Sequence, residues 1–233
     1  YGTFMQLFVG CGLNFTKSDG EGSRVVDVDL EKAQTVSEQV REYFHQNSLY
    51  AIDTDQAFSE DRFWGHDYLY FFTENHALFA HETMKQMNVF REMEADFGVV
   101  PNPKYDESQE SYRHRPGPSS GVIAVPSNIS DATMVGAVLE YGAWLSHYTL
   151  IPAYYEVTIK TKRTRDETAM EMLDIIHDTI IFDIGDMYDS LNMAMYIWNA
   201  YESGSFPRSF GSVEKKIQKS INKLAKLMEK VNG

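Results

Sequence analysis

Residues 121–128 read GVIAVPSN, residues 151–176 read IPAYYEVTIKTKRTRDETAMEMLDII, and residues 180–188 read IIFDIGDMY. The first of these segments predicts a short apolar strand. That strand ends at Pro126, because proline cannot continue a hydrogen-bonded ladder. Ile180–Ile184 forms a second short apolar run. Two apolar runs separated by polar, helix-like sequence are typical of a fold that alternates strands with helices.

Three helices are expected in this stretch. Ser130 is the expected N-cap of the first, since a serine side chain accepts a hydrogen bond from the first turn. Pro152 fits the first turn of the second helix, where its missing N–H costs little. Asp166 is the expected cap of the third. Together with the apolar runs, these helices predict an α/β fold with a mainly parallel sheet.

The rest of the chain continues the alternation. Asp29 is expected to cap a helix to about Asn47, with Ala33, Val36, Val40 and Phe44 on its core face. The other predicted elements, in chain order, are a helical face from Phe4 to Phe8, a strand at Val25–Val28, an aromatic-rich helix at Glu60–Glu74, strands at Ala77–Ala80 and Phe97–Val100, and a last helix capped by Ser212.

Composition excludes several classes of protein. The 233 residues allow one large or two small domains. A net charge of −13 disfavours nucleic-acid binding, which depends on Lys and Arg contacts to phosphate. The single cysteine, Cys11, excludes an internal disulfide. No apolar run approaches the ~20 residues that a membrane span needs.

Three local signatures resemble the extracellular solute-binding proteins of ABC importers, in the family that binds sugars and oligosaccharides. They are PNPKYDESQESY at 101–112, AYYEVTIKTKRTRD at 153–166, and EMLDII at 171–176 followed by IFDIGDMY at 181–188. With the order of elements, the resemblance covers nearly the whole chain. It implies the two-lobe binding-protein fold of class II, in which the chain supplies mostly the second lobe and part of the first.

On that resemblance, residues 1–115 form the first segment of the second, C-terminal lobe. Residues 116–165 return to the first lobe, and residues 166–233 are the closing helices of the second lobe. Family members are longer, so an export signal and a lipid-modified cysteine are expected outside this sequence. Residues 121–165 would lack the upstream strands with which they normally pair, and their exposed apolar surface is expected to favour self-association.

The implied function is that of a binding protein and not an enzyme. It would capture a sugar or oligosaccharide between two lobes outside the cell and deliver it to the permease subunits of the importer. No cofactor is expected, since the sequence has neither a G-x-G-x-x-G nor a G-x-x-x-x-G-K-[ST] motif. The ATPase that drives import would belong to other chains.

Sugar binding combines aromatic rings with planar polar side chains, because a pyranose has apolar faces and a rim of hydroxyl groups. Asp183 and Asp186 follow an apolar run, where ligands bind in open α/β sheets. They are expected to accept hydrogen bonds from sugar hydroxyls or, alternatively, to cap the local helix. The complete set of candidate ligand contacts is Trp64, Glu82, Met84, Arg113, Asp183, Asp186 and Tyr188, with Trp198 as either a contact or a core residue.

Other chemistries have weaker signals. Two of the acids near Asp183 would allow the alternative of a secreted carbohydrate-active hydrolase, which needs paired carboxylates. The dipeptide His81-Glu82 is the only local hint of a metal site, and no metal is expected. Cys11, which lies between two glycines, is expected to be a small buried residue.

Overall fold

A computed structural model describes residues 2–45, 70–84, 87–90, 93–117, 123–126, 128–154, 167–188 and 191–232. The chain divides into two compact units. The first unit comprises residues 1–53, 100–119 and 172–233, and the second comprises residues 54–99 and 120–171. Each unit is therefore built from segments that are separated in sequence.

Helices account for most of the described elements. In chain order these elements are α1 (Gly2–Gly10), β1 (Thr16–Ser18), β2 (Arg24–Val26), α2 (Leu30–His45), the single turns α3 (Tyr70–Thr73) and α4 (Met87–Phe90), α5 (Ala132–Leu145), a π-helical turn (Ser146–Leu150) that leads into helical residues 151–154, α6 (Glu167–Asp178), the single turn α7 (Ile184–Met187), α8 (Met193–Glu202) and α9 (Phe206–Asn232). None of the described helices is long and apolar enough to span a membrane.

The first unit has a large aromatic core between α1, α2, α8 and α9. The rings of Phe8 and Phe206 stack with centroids 6.2 Å apart, and Phe4 stacks on Tyr201 at 4.0 Å. The expected core face of α2 is correct, since Ala33, Val36 and Val40 are buried and Phe44 packs against the same core. Helix α9 packs on α2, α8 and β2, so the last helix contacts the helix that Asp29 caps.

The sheet differs from the sequence prediction. Over the described ranges it has two antiparallel strands, β1 and β2, with Thr16 opposite Val26. A single parallel bridge joins His114 to Ile180. The runs at 77–80, 97–100 and 123–126, expected to be strands, are not strands. Phe97 and Val99 instead pack on a methionine-rich cluster. A run of four apolar residues specifies burial but not a ladder, which also needs a neighbouring strand.

Helix termini confirm one predicted cap and correct two others. Asp29 caps α2, since its side chain accepts the Lys32 N–H at 3.0 Å. The cap of α5 is Asp131, which accepts from Met134 N–H, and not Ser130. Helix α9 begins at Phe206, six residues before the expected Ser212 cap, because a proline in the first turn of a helix does not interrupt it.

The helix that starts with α5 continues through Pro152 and does not begin anew there. The π-turn precedes this proline, and the N–H of Ile151 reaches back to the carbonyl of Ser146. A proline in a helix removes one i to i−4 hydrogen bond and crowds the preceding turn. The wider π-turn accommodates that crowding without ending the helix.

The second unit has a much smaller described core. Met87, Phe90 and Met93 are buried there, and Phe72, Met84, Phe97 and Val99 pack around them. The rings of Phe72, Phe90 and Phe97 make edge contacts with one another. Helix α5, also in this unit, has no buried residue.

Candidate functional site

An open pocket on the first unit is the candidate site. It encloses about 540 Å³, a volume in the range of small-molecule sites. Its floor lies next to the α1–β1 connection, and its wall is the loop at 102–112, which carries the first signature described above. The lining residues are Gly12, Lys32, Tyr105, Asp106, Ser108, Gln109, Glu110, Ser111, Arg113 and Ile181.

Arg113 is fixed at the base of this pocket by hydrogen bonds to the α1–β1 connection. Its Nη1 donates to the Gly12 carbonyl at 2.9 Å, and its Nη2 donates to Asn14 Oδ1 at 2.7 Å. Burial lowers the pKa of the Arg113 guanidinium, and the negative charges of Asp183 and Asp27 partly oppose this effect. Arg113 is therefore a partly desolvated cation, held by two hydrogen bonds, in the lining of the pocket.

Asp27 extends the network behind Arg113. Its carboxylate accepts from Asn14 Nδ2 at 2.8 Å and pairs with Lys17 Nζ at 2.8 Å. Burial alone would raise the pKa of Asp27, but the hydrogen bonds from Lys17 and Asn14 outweigh it, so the pKa lies below the ordinary value. The amide of Asn14, held between an arginine and this carboxylate, has a single orientation that satisfies both.

Lys32 and Tyr105 form the second part of the pocket wall. The Lys32 ammonium lies 4.6 Å from the centroid of the Tyr105 ring, which is a cation–π contact. Lys32 belongs to the first turn of α2, so its backbone is fixed by the Asp29 cap. Among the described residues no carboxylate pairs with this ammonium, which leaves its three N–H groups for water or a ligand.

Gln109 holds the loop in shape. Its Oε1 accepts from Tyr105 N–H at 3.1 Å, and its Nε2 donates to the carbonyls of Gly10 at 2.8 Å and Ser111 at 2.9 Å. Asp106 closes the tip by accepting from the N–H and hydroxyl of Ser108, and the hydroxyl bond lowers the pKa of Asp106. The loop that forms the wall of the pocket is thus held in shape by hydrogen bonds between its side chains and its backbone.

Several polar groups of the lining have no partner within the part of the chain that the structure describes. They are the Tyr105 hydroxyl, the Glu110 carboxylate and the Ser111 hydroxyl, in addition to the Lys32 ammonium. Donors and acceptors therefore surround one aromatic ring. Such a set suits a polyhydroxylated ligand, whose hydroxyl groups both donate and accept.

Asp183 is occupied by the fold. Its carboxylate accepts from the N–H groups of Phe15 at 3.2 Å and Thr16 at 2.9 Å, from the Thr16 hydroxyl at 2.6 Å, and from Gly185 N–H at 2.8 Å. It is the N-cap of α7, in agreement with the capping alternative. This buried carboxylate fastens α7 to β1 and stands behind Arg113, not in the pocket lining.

Asp186 is also engaged within the protein. It forms a bidentate ion pair with Arg115, at 2.6 Å to Nε and 2.7 Å to Nη2. Both side chains are buried. Both oxygens of the Asp186 carboxylate are therefore engaged by Arg115 within the protein.

The other candidate residues lie in different surroundings. Tyr188 is exposed at the end of α7, and Trp198 packs against Phe4 and Tyr201 in the core of the first unit. Glu82 and Met84 belong to the second unit, where Met84 packs on the methionine cluster. Trp64 lies outside the described residues. Of the candidates from sequence, Arg113 is the one that lines the pocket.

Metal and thiol chemistry have no support in the described parts of the chain. No group of three or more His, Cys, Asp or Glu side chains comes together there to hold a metal ion. His81 and Glu82 are therefore not part of such a group. Cys11 is buried, as expected, and burial raises the pKa of its thiol, although the charge of Lys32 acts in the opposite direction. A protonated, buried thiol is a poor nucleophile.

Sequence reasoning missed Lys32, Tyr105 and Glu110 as lining residues. Tyr105 and Glu110 lie within the PNPKYDESQESY signature, so the sequence already marked the loop that forms the pocket wall. No sequence feature marked Lys32 as a lining residue, because a lysine in the first turn of an amphipathic helix is ordinarily a solvated surface residue.

Comparisons with known proteins give no assignment: no family model, curated protein or solved structure matches the chain.

Proposed function

We propose that this protein binds a sugar or short oligosaccharide in the pocket of the first unit, as the extracellular binding component of an ABC importer. The observation that carries the proposal is the combination of the Tyr105 ring with the unpaired Lys32 ammonium and Glu110 carboxylate around a 540 Å³ pocket. The local resemblance of the sequence to sugar-binding proteins supports the same ligand class.

We propose the class II binding-protein fold for the chain, mostly its second lobe. One further feature supports this fold and the importer assignment. Both compact units consist of segments that are separated in sequence, which is expected when a chain passes repeatedly between two lobes. The protein would act outside the cell and deliver its ligand to permease subunits without chemical change.

Calorimetric titration with a panel of neutral mono- and oligosaccharides tests the ligand class. We expect Lys32→Met to weaken the binding of the best sugar at least tenfold, since a hydrogen bond from a charged group contributes about 1.5–3 kcal/mol. Methionine keeps an unbranched side chain, one heavy atom shorter, that can pack on Tyr105 while the charge is removed.

Lys216→Met is the matched control. Lys216 also lies over a tyrosine ring, 5.5 Å from the centroid of Tyr196, but on α9 and not in the pocket lining. This variant should bind within twofold of wild type. No binding to any sugar of the panel, or equal losses in both variants, would contradict the proposal. Release of a shorter saccharide during incubation would favour the hydrolase instead.

A further inference from the structure

The helix at 132–154 presents apolar side chains to solvent along its length. Glu140 is its only charged residue, and neither α5 nor the π-turn has a buried residue. A helix that is apolar on its surface is normally covered by protein or lipid. This helix belongs to the second unit, whereas the residues of the pocket proposed as the sugar site belong to the first.

The exposed apolar side chains include Leu139 and Leu150 as well as one set that follows a heptad-like spacing. Successive intervals of four, three, four and three residues separate the members of what we call the seam: Met134, Val138, Tyr141, Leu145 and Tyr148. In the α-helix, which ends at Leu145, this spacing puts apolar side chains on one stripe and is typical of helices that pair with another helix, while Tyr148 follows in the π-turn. Trp144 lies beside the seam, with its ring 5.9 Å from that of Tyr141 and 5.0 Å from that of Tyr148.

The exposed area of the seam is close to what a stable dimer buries. Its five members and Trp144 are between 37% and 65% exposed. With about 200 Å² for each side chain, they expose on the order of 600 Å². A standard-size interface buries about 800 Å² on each partner, so pairing along the seam with some flanking contacts reaches that size.

The flanking positions indicate which partner fits. In coiled coils, charges beside the seam select a partner of opposite charge. Here those positions are Val135, Ala137, Gly142, Trp144, Thr149 and Ile151, none of which is charged. A second copy offers the same spacing and the same uncharged flanks. An anionic lipid surface is less suited, because it is recognised by Lys and Arg on the helix, and residues 132–154 contain neither.

We propose that two copies of this chain associate through the seam, helix 132–154 against helix 132–154, in an isologous dimer. The dimer brings together two chains that each have a net charge of −13. Their mutual repulsion is long-ranged and screened by salt. The apolar contact itself is insensitive to moderate salt, so association should strengthen as salt is raised.

Analytical ultracentrifugation over a wide range of protein concentration tests the dimer. We expect a reversible monomer–dimer equilibrium for wild type, and a dissociation constant at least tenfold higher for Tyr141→Glu. Glutamate is a good helix former, so the helix should persist, which circular dichroism checks. Tyr141→Leu keeps an apolar seam and should dimerise like wild type.

Met195→Glu is the control, because Met195 is also an exposed apolar residue on a helix, in α8. It should leave the dissociation constant within twofold. A wild-type protein that remains monomeric at the highest concentration would overturn the proposal. Equal effects of the Tyr141 and Met195 substitutions, or open-ended aggregation, would do the same. Binding of monomers to phosphatidylcholine vesicles would reassign the surface to lipid.

Discussion

At the scale of the residue, Asp183 shows how one carboxylate joins distant parts of the chain. Its hydrogen bonds reach Phe15 and Thr16, residues that are 168 and 167 positions away. The sequence indicates that Asp183 follows an apolar run and can cap a helix, and the structure agrees on both points. The hydrogen bonds from β1 to Asp183 cannot be predicted from the sequence, because no local pattern specifies a partner so far away in the chain.

Asp183→Ala should destabilise the first unit by about 3 kcal/mol or more. The substitution leaves three buried N–H groups without an acceptor, and each unsatisfied buried group costs about 1–3 kcal/mol. Chemical denaturation followed by circular dichroism measures this loss. Asp178→Ala is the control, because its exposed carboxylate contacts the neighbouring His177 at the surface, and the change should stay within about 0.5 kcal/mol. Equal stability of the two variants would contradict this structural role.

At the scale of the element, helices were predicted better than strands, although the strand expected at Val25–Val28 is present as β2 (Arg24–Val26). The buried face of α2 follows directly from its periodicity, and the Asp29 cap from residue type. A helix satisfies its own backbone, whereas a strand needs a partner elsewhere in the chain. The apolar run at 97–100 therefore predicts partial burial correctly for Phe97 and Val99 but gives the wrong element. The pocket escaped prediction for a similar reason, since Lys32 and Tyr105 meet only through tertiary packing.

The single-turn helix α7 depends on a close contact at Gly185. A Cβ added there would lie 2.7 Å from Met193 Sδ and 2.8 Å from Phe15 Cβ. Gly185→Ala should therefore cost about 1–3 kcal/mol, because an overpacked core must shift. Gly211→Ala is the opposite case, since nothing lies within 4 Å of its added Cβ in helix α9. It should stabilise by about 0.5–1 kcal/mol. Thermal melting compares the two, and a destabilised Gly211 variant or an unaffected Gly185 variant would contradict the packing argument.

At the scale of the whole molecule, burial is distributed unevenly. The core of the first unit contains tightly packed phenylalanine rings from α1 and α9, with Ile197 and Ala200 of α8 fully buried beside them. The described core of the second unit is the small methionine cluster. Within the part of the chain that the structure describes, helix 132–154 gains little from packing, since α5 and the π-turn have no buried residue. Its backbone hydrogen bonds are thus less protected than those of the first unit, because an isolated helix of this length is marginal in water.

Hydrogen exchange should report this difference directly. In dilute protein, amides of helix 132–154 should exchange much faster than those of α1 and α8, because local opening there exposes almost no buried surface. When the concentration is raised, pairing along the seam should slow exchange in helix 132–154 and leave α1 and α8 unchanged. Tyr141→Glu should abolish the concentration dependence while keeping the fast exchange. Strong protection of helix 132–154 at high dilution would mean that a single chain already stabilises it, and the seam would then have no need of a second copy.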